Sequence, residues 1–370
     1  MLGGGDPVAA LAPFHGGSVI LAVSGGGDSM AMLHAAAEAG LRGTAVTVDH
    51  GFRAEAADEA RWVKRVAAEM GFAHRTVRVR PDGRSMAAAR MARLDGLSRV
   101  AGRGTVLLAH TADDQAETVR MRLDRGLGLG PAGIAPATLV GDAWFARPFL
   151  PLDREALRLW LRDRSLAWID DPTNSDPRFE RARVRAGMTV GERDRLCAVA
   201  SRTAEQRRAT ATRLASDLGG RLERGNDHAR VRDWNGVREH RAVLLAALAR
   251  FVARTPHAPS PAAIVAALAA LDRGERFTLG GCLVRVARRT LEIEREPRWR
   301  PAPPTLRIAP SHDWPLLRAL DPDLPAPPGA VAELVETGSL APGSIEPTPL
   351  GTSRRTPSPS LHKRDGAAYL

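Results

Sequence analysis

Two cysteines, Cys197 and Cys282, are all the chain has in 370 residues, and they form no CxxC pair. That excludes a disulfide scaffold, a zinc finger, an iron–sulfur cluster and a redox pair, and reads as two buried thiols in a reducing cytoplasm. Lysine is almost missing too: Lys64 and Lys363 are the only two. The basic charge is therefore nearly all arginine, a bias that reflects genome composition more than function. No run of about 20 apolar residues occurs, so no transmembrane helix and no membrane association are expected. The first five residues lack a positive n-region and a cleavage pattern, which argues against a signal peptide.

What is present describes a soluble protein of two or three domains. Apolar residues make up 44% and charged residues 26%, enough for a sizeable core. The net charge of +11 points to nucleic acid or another polyanion as partner. No feature specifies an oligomeric state.

Apolar runs at 19–23, 44–49, 76–79 and 105–109 read as strands. Helical patterns at 30–39, 58–70, 85–100 and 112–123 alternate with them. This βαβ rhythm predicts a doubly wound α/β domain with a parallel sheet over residues 1–200, ending in trailing helices. A small α+β module is expected over 205–298, with helices at 237–254 and 262–271 and strands near 276–285 and 290–294. Beyond 301 the composition shifts. Fourteen of the 27 prolines fall in 301–370, and apolar periodicity is lost. That segment reads as a disordered tail whose removal after Arg300 would leave thermal stability nearly unchanged.

Between the first strand and its helix lies Ser24-Gly25-Gly26-Gly27-Asp28-Ser29. Glycines let backbone N–H groups approach a phosphate, and the helix N-terminus adds partial positive charge. A Walker A loop would end in Gly-Lys-Ser/Thr, and GxGxxG is not met. The pattern SGGxDS instead resembles the loop of the N-type ATP pyrophosphatases. Asp49 and His50 close the second strand on the same sheet edge, with Arg53 beyond them, within reach of a phosphate. His110-Thr111-Ala112-Asp113-Asp114-Gln115-Ala116-Glu117 closes a later strand and opens a helix. Carboxylates three and four apart share a helix face there and suit Mg²⁺ bound to ATP phosphates.

Taken together, SGGGDS, VDHGFR, LAHTADDQAET with RMRLDRGLGLG, and RPFLPLDREAL…WIDDPTNSDPRFERARVR resemble the tRNA(Ile)-lysidine synthetases in order and spacing. The resemblance is strong over 19–185 and weaker over 276–297. It implies that ATP adenylates the C2 oxygen of the wobble cytidine in an isoleucine tRNA with a CAU anticodon. The amine of free L-lysine then displaces AMP. It implies ATP binding by Ser24, Gly25, Gly26, Gly27, Asp28, Ser29, Asp49 and His50, with Mg²⁺ on Asp28 and Asp114. Asp28, Asp113, Asp114 and Glu117 are the catalytic acids, without individual roles. Arg53, Arg90, Arg93, Arg181, Arg183 and Arg185 would bind tRNA, with Arg90 and Arg93 on a helix away from the phosphate loop. The chain departs from the family at Thr111 (usually His), Leu94 (Tyr), Ala182 (Asn) and Leu127 (Ser). Two alternatives are a cytidine-thiolase-like relative, which needs a cysteine pair, and a non-catalytic tRNA-binding protein, which need not retain the acids.

Overall fold

A computed structural model describes residues 5–51, 56–83, 85–126, 132–170, 176–255, 258–300 and 308–339. Arg53, Leu127 and the tail from 340 onward lie outside the described residues.

The first half alternates as its sequence requires. After α1 (Pro7–Leu11) come β1 (Ser18–Ala22), α2 (Gly27–Glu38), β2 (Arg42–Asp49), α3 (Ala56–Glu69) and β3 (Ala73–Arg78). Then follow α4 (Met86–Ala101), β4 (Thr105–Leu107), α5 (Ala112–Asp124), β5 (Ala137–Val140), β6 (Ala143–Ala146), α6 (Arg154–Asp163) and α7 (Glu180–Ala186). α2 starts earlier than its apolar pattern, because the last glycine of the loop is already the first helical residue.

The second half holds α8 (Val190–Asp217), β7 (Leu222–Arg224), β8 (His228–Val231), α9 (Arg241–Ala253), α10 (Pro261–Asp272), β9 (Phe277–Leu279), β10 (Cys282–Ala287) and β11 (Thr290–Arg295). It closes with β12 (Ile308–Pro310), α11 (Trp314–Leu320) and α12 (Gly329–Thr337). No helix among the described residues is long and apolar enough to cross a membrane.

The larger sheet has the order β12-β5-β6-β4-β1-β2-β3. β4, β1, β2 and β3 run parallel, as does β6 beside β4; β5 runs antiparallel to both of its neighbours, β6 and the edge strand β12. The chain leaves β1 toward β2 and β3, then returns to place β4 on the opposite flank. The loops after β1 and β4 therefore diverge at the topological switch point, the place where open α/β sheets bind ligands. Ala and Leu/Val side chains of β1, α2 and α6 form the core on one face, including Leu21, Met30, Leu33 and Leu161. The other face packs Leu97 of α4 against Val106 and Phe145.

The expected break near 200–205 is absent. α8 runs unbroken through it. Its first half buries Leu196, Cys197 and Ala200 against Ala112, Ala116 and Val119 of α5. Its second half gives Ala211 and Leu214 to the core of the second module. That module is a five-stranded antiparallel sheet, β7-β8-β11-β10-β9, backed by α9 and α10.

The segment after 301 also differs from a tail over its first part. β12 adds an edge strand to β5, where Pro310 is tolerated because edge strands need no donor on one side. α11 puts Leu316 and Leu320 into the second core, whereas Leu324, Val331, Leu334 and Val335 enter the first. Trp314 meets buried Trp144 edge-to-face at 4.9 Å, and the Trp144 indole donates to the Pro325 carbonyl at 3.1 Å. The prolines start helices and bound turns here instead of preventing packing. Burying an aliphatic side chain contributes roughly 1.5–3 kcal/mol. Truncation after Arg300 should therefore lower the melting midpoint by more than about 10 °C. A scan of the truncated chain that overlays the full-length one would show that 308–339 adds nothing to the core.

Candidate active site

The glycine loop is shaped by two local demands. Gly25 has φ +92°, a left-handed backbone, and a Cβ there would lie 2.8 Å from Ile169 Cδ1. Ser29 closes the loop: its Oγ accepts from the Ser24 amide at 3.2 Å and donates to the Gly26 carbonyl at 2.9 Å. The free amides of the first turn of α2 are left to face a ligand. The segment before 170 roofs the loop, with the Ile169 amide donating to the Gly25 carbonyl at 2.9 Å and Trp168 against Gly27. Beyond the next strand, Asp49 is buried, accepting from the Gly51 amide at 2.7 Å and pairing with Arg78 at 3.3 Å. Asp49 and His50 line a cavity of about 430 Å³ at the ends of β2 and β3. Burial and the Arg93 charge keep His50 below its usual pKa.

Opposite the loop, α5 begins with a capping box. Buried Thr111 donates from its amide to Asp114 Oδ2 at 2.9 Å and from its hydroxyl at 3.3 Å. Two further positions noted in the sequence are apolar and buried: Leu94, on the sheet-facing side of α4, and Ala182, the one buried residue of α7.

The acids converge on Arg154, a residue that sequence reasoning missed. Its Nε donates to Asp28 at 3.2 Å, its Nη2 to Asp114 at 2.9 Å and its Nη1 to Glu117 at 3.2 Å. The signal was only an arginine one residue after a helix-capping Asp153, indistinguishable from a solvated helix start. Asp113 does something else: it accepts the Arg154 amide at 2.8 Å and so anchors the start of α6. Three of the four predicted acids thus share one place, and the fourth holds the residue that joins them.

Two of the arginines read as tRNA ligands are also there. Arg181 donates to Glu117 at 2.6 Å and to Asp114 at 2.9 Å; Arg185 donates to Glu117 at 2.7 Å. They lie on the carboxylates and not on an outward face. Arg183 between them is exposed and bonds the Pro177 and Arg178 carbonyls. Arg90 and Arg93 are not remote from the site either. Desolvation and then the Arg181 charge lower Arg90, and desolvation and then the Arg90 charge lower Arg93, with Asp114 opposing in each case. His110 is held well below its usual pKa by burial and by Arg147, Arg93, Arg90 and Arg181, and is neutral. Glu117 stays ionised below its ordinary value: the arginines outweigh its burial. Asp28 moves the other way, up to about 6, chiefly through burial, with Arg154 opposing and Asp114 adding to the rise.

Residues 8–190 match the PP-loop domain family, which defines the first sheet and its glycine loop as a nucleotide-binding PP-loop unit. The chain is 37% identical over 313 residues to the tRNA(Ile)-lysidine synthase of Ruegeria pomeroyi, covering 80% of this chain and 74% of that one. It is 39% identical to that of a Methylobacterium species, covering 70% and 76%, and 47% identical to that of a Bradyrhizobium species, covering 48% and 53%. The chain belongs to the tRNA(Ile)-lysidine synthase family.

The Asp28 shift has a consequence for stability. Its folded pKa, about 6, lies above the ordinary 3.8, so the folded chain holds that proton more tightly. Stability from this group is full below 3.8 and is lost as pH rises toward about 6. Asp28→Asn removes the loss and should raise stability by on the order of 2 kcal/mol at about pH 7.5, with almost no gain below pH ~4. Denaturant melts at both pH values check this; an equal effect at both would mean that burial does not govern Asp28.

Proposed function

We propose that this chain joins free L-lysine to C2 of the wobble cytidine in isoleucine tRNA with a CAU anticodon, converting ATP to AMP and pyrophosphate. The observation that carries the reading is the meeting of Asp28, from the glycine loop, with Asp114 and Glu117, from the helix after β4, at the switch point of the sheet. The amides from Gly25 to Ser29 receive the phosphates. The cavity beside Asp49 and His50 takes the nucleoside. The cytidine C2 oxygen attacks the α-phosphorus and pyrophosphate leaves; the lysine amine then attacks C2 and AMP leaves. Asp114 and Glu117 hold the lysine ammonium before it loses its proton.

Mg²⁺ fits this donor set. Asp28 and Asp114 are hard oxygen ligands whose mutual repulsion calls for a cation, and two carboxylates plus phosphate oxygens are a usual magnesium shell. When bound, the ion would neutralise the charge that develops on departing pyrophosphate. Within the protein, Arg154 opposes the burial that raises Asp28 and holds its carboxylate in place.

A thiolase-like chemistry finds no support in the cysteines. Both are buried and free, and burial pushes their thiols up to about 11 and about 12.

Incubation of isoleucine tRNA with the protein, ATP and lysine, followed by mass spectrometry of the anticodon nucleosides, should yield lysidine. Asp28→Ala should abolish lysine- and tRNA-dependent AMP release with the fold retained; release at the wild-type rate would sink the assignment.

Arg90 and Arg93 supply phosphate contacts in this reading, and their closeness to Asp114 ties them to the nucleotide as well. Reversing both to Glu should weaken cognate and non-cognate tRNA alike and flatten the salt dependence by roughly 0.7–0.9 per phosphate lost. It should also raise the KM for ATP. Titrations at two salt concentrations test this, and an unchanged tRNA affinity with an intact slope would return the helix to a solvated face.

A further inference from the structure

We propose that the cavity between α1, α8 and the 308–339 segment binds a small organic carboxylate, with Arg147 and His312 receiving the anion and apolar walls holding its hydrocarbon body. This site is separate from the one described above. None of Asp28, Asp49, Asp114, Glu117 or Arg154 lines the cavity, and the reaction with ATP makes no use of it.

The cavity measures about 480 Å³, within the usual range for small-molecule sites. Ala10 of α1, Ile134, Pro148, Ala200 of α8 and Leu334 of α12 give it apolar walls. Its innermost polar groups are Arg147, directly after β6, and His312, which are 4% and 6% exposed.

Arg147 is the reason to expect an anion. A buried charge is stable only when it is paired or well solvated by the protein. Among the described residues Arg147 forms no ion pair. Its Nη1 donates to neutral acceptors only: the Ala135 carbonyl at 2.8 Å, the Thr138 hydroxyl at 3.0 Å and the Phe145 carbonyl at 3.5 Å. Its Nε is buried and has no hydrogen-bond partner. Gln115, on the same wall, is already committed, donating to the Ile134 carbonyl at 3.2 Å and accepting from the Ile134 amide at 2.5 Å. Burial and the charges of Arg90 and Arg93 push Arg147 down to about 9, which still leaves it cationic at neutral pH.

His312 supplies a second donor. Its Nδ1 is also buried without a partner. Burial and then Arg207 hold the ring at about 4, with Asp313 opposing and Arg122 and Arg147 adding, so it is neutral at physiological pH. A neutral imidazole can carry its proton on Nδ1 and donate from there. Asp313 beside it is taken by Arg207, at 2.6 and 3.2 Å. Each orphaned group costs about 1–3 kcal/mol, and one oxygen anion relieves both.

The remaining charges select among anions. Asp6 and Glu205 are exposed residues at the edge of the cavity, and Arg208 beside them is half-buried. Asp6 is engaged in capping α1 through the Val8 amide at 3.0 Å. Two acids at the edge disfavour a polyanion such as a nucleotide triphosphate or an RNA backbone. A single carboxylate can pass them beside Arg208. The apolar walls favour a hydrocarbon body over inorganic phosphate.

The test is calorimetry on the full chain with sodium octanoate, octanamide and inorganic phosphate. Octanoate should bind once per chain and at least about tenfold more tightly than octanamide, the factor expected for one charge-assisted hydrogen bond. Arg147→Gln should lower octanoate to the octanamide level and leave octanamide unchanged. Ala204→Trp, at a half-buried position of α8 on the cavity wall, should abolish binding of both, and it decides the matter if the Arg147 variant does not fold. Equal affinities for octanoate and octanamide would overturn the proposal, as would phosphate binding as tightly as octanoate. Undiminished octanoate binding by a folded Ala204→Trp variant would overturn the location. Saturating ATP should leave octanoate affinity unchanged; competition would mean that octanoate occupies the phosphate loop instead.

Discussion

One buried guanidinium sets the terms for the rest of the site. A doubly wound sheet delivers Asp28 from one side of its switch point and Asp114 and Glu117 from the other. Carboxylates gathered at low exposure repel one another and lose hydration, so the gathering stands only if a cation sits among them. Arg154 is that cation, and its planar fork reaches all three at 2.9–3.2 Å. Its position is itself secured by acid: Asp153 caps α6 through the Ala156 amide at 2.7 Å, and Asp113 holds the Arg154 amide. The DDQ sequence therefore divides its labour, one Asp building the support and the next joining the carboxylate cluster.

The second constraint is mechanical. A helix of 28 residues is shared by both modules, and the strap from β12 to α12 returns across them. The Arg207–Asp313 pair at 2.6 Å ties the middle of α8 to the start of that strap. The second module is thereby fixed relative to the catalytic sheet by one covalent helix and one packed return segment. A tRNA held by that module would meet the switch-point loops from a defined direction, which charge attraction alone would not supply.

How much of this was legible follows from the range of each signal. Strand and helix alternation through residue 123 shows in local apolar periods, and the glycine loop and the acids of α5 are contiguous motifs. Arg154 was not legible as an active-site residue because its partner Asp28 is 126 residues away, and nothing local marks the pairing. Arg181 and Arg185 were legible as positive charge, but sequence does not say whether a charge faces RNA or a carboxylate. β7 and β8 are three and four residues long and carry charges, too little for a period to appear. The strap did carry a signal: Val331, Leu334 and Val335 have helical spacing, and Leu316 and Leu320 are four apart. Proline density hid it, because proline was read as a breaker where it serves as a helix start.

The scarcity of lysine matters in this setting. Only Lys64, on α3, carries an ammonium among the described side chains, so the protein answers its own carboxylates with guanidiniums. The two groups are not equivalent. A guanidinium presents donors in a plane and bridges carboxylates set side by side, as Arg154 and Arg181 do. An ammonium presents three donors from one point and sits where carboxylates converge. Asp114 and Glu117, one turn apart on α5, can satisfy either shape, but not both at once. In the structure they hold the planar shape: Arg154 and Arg181 each bridge the two carboxylates.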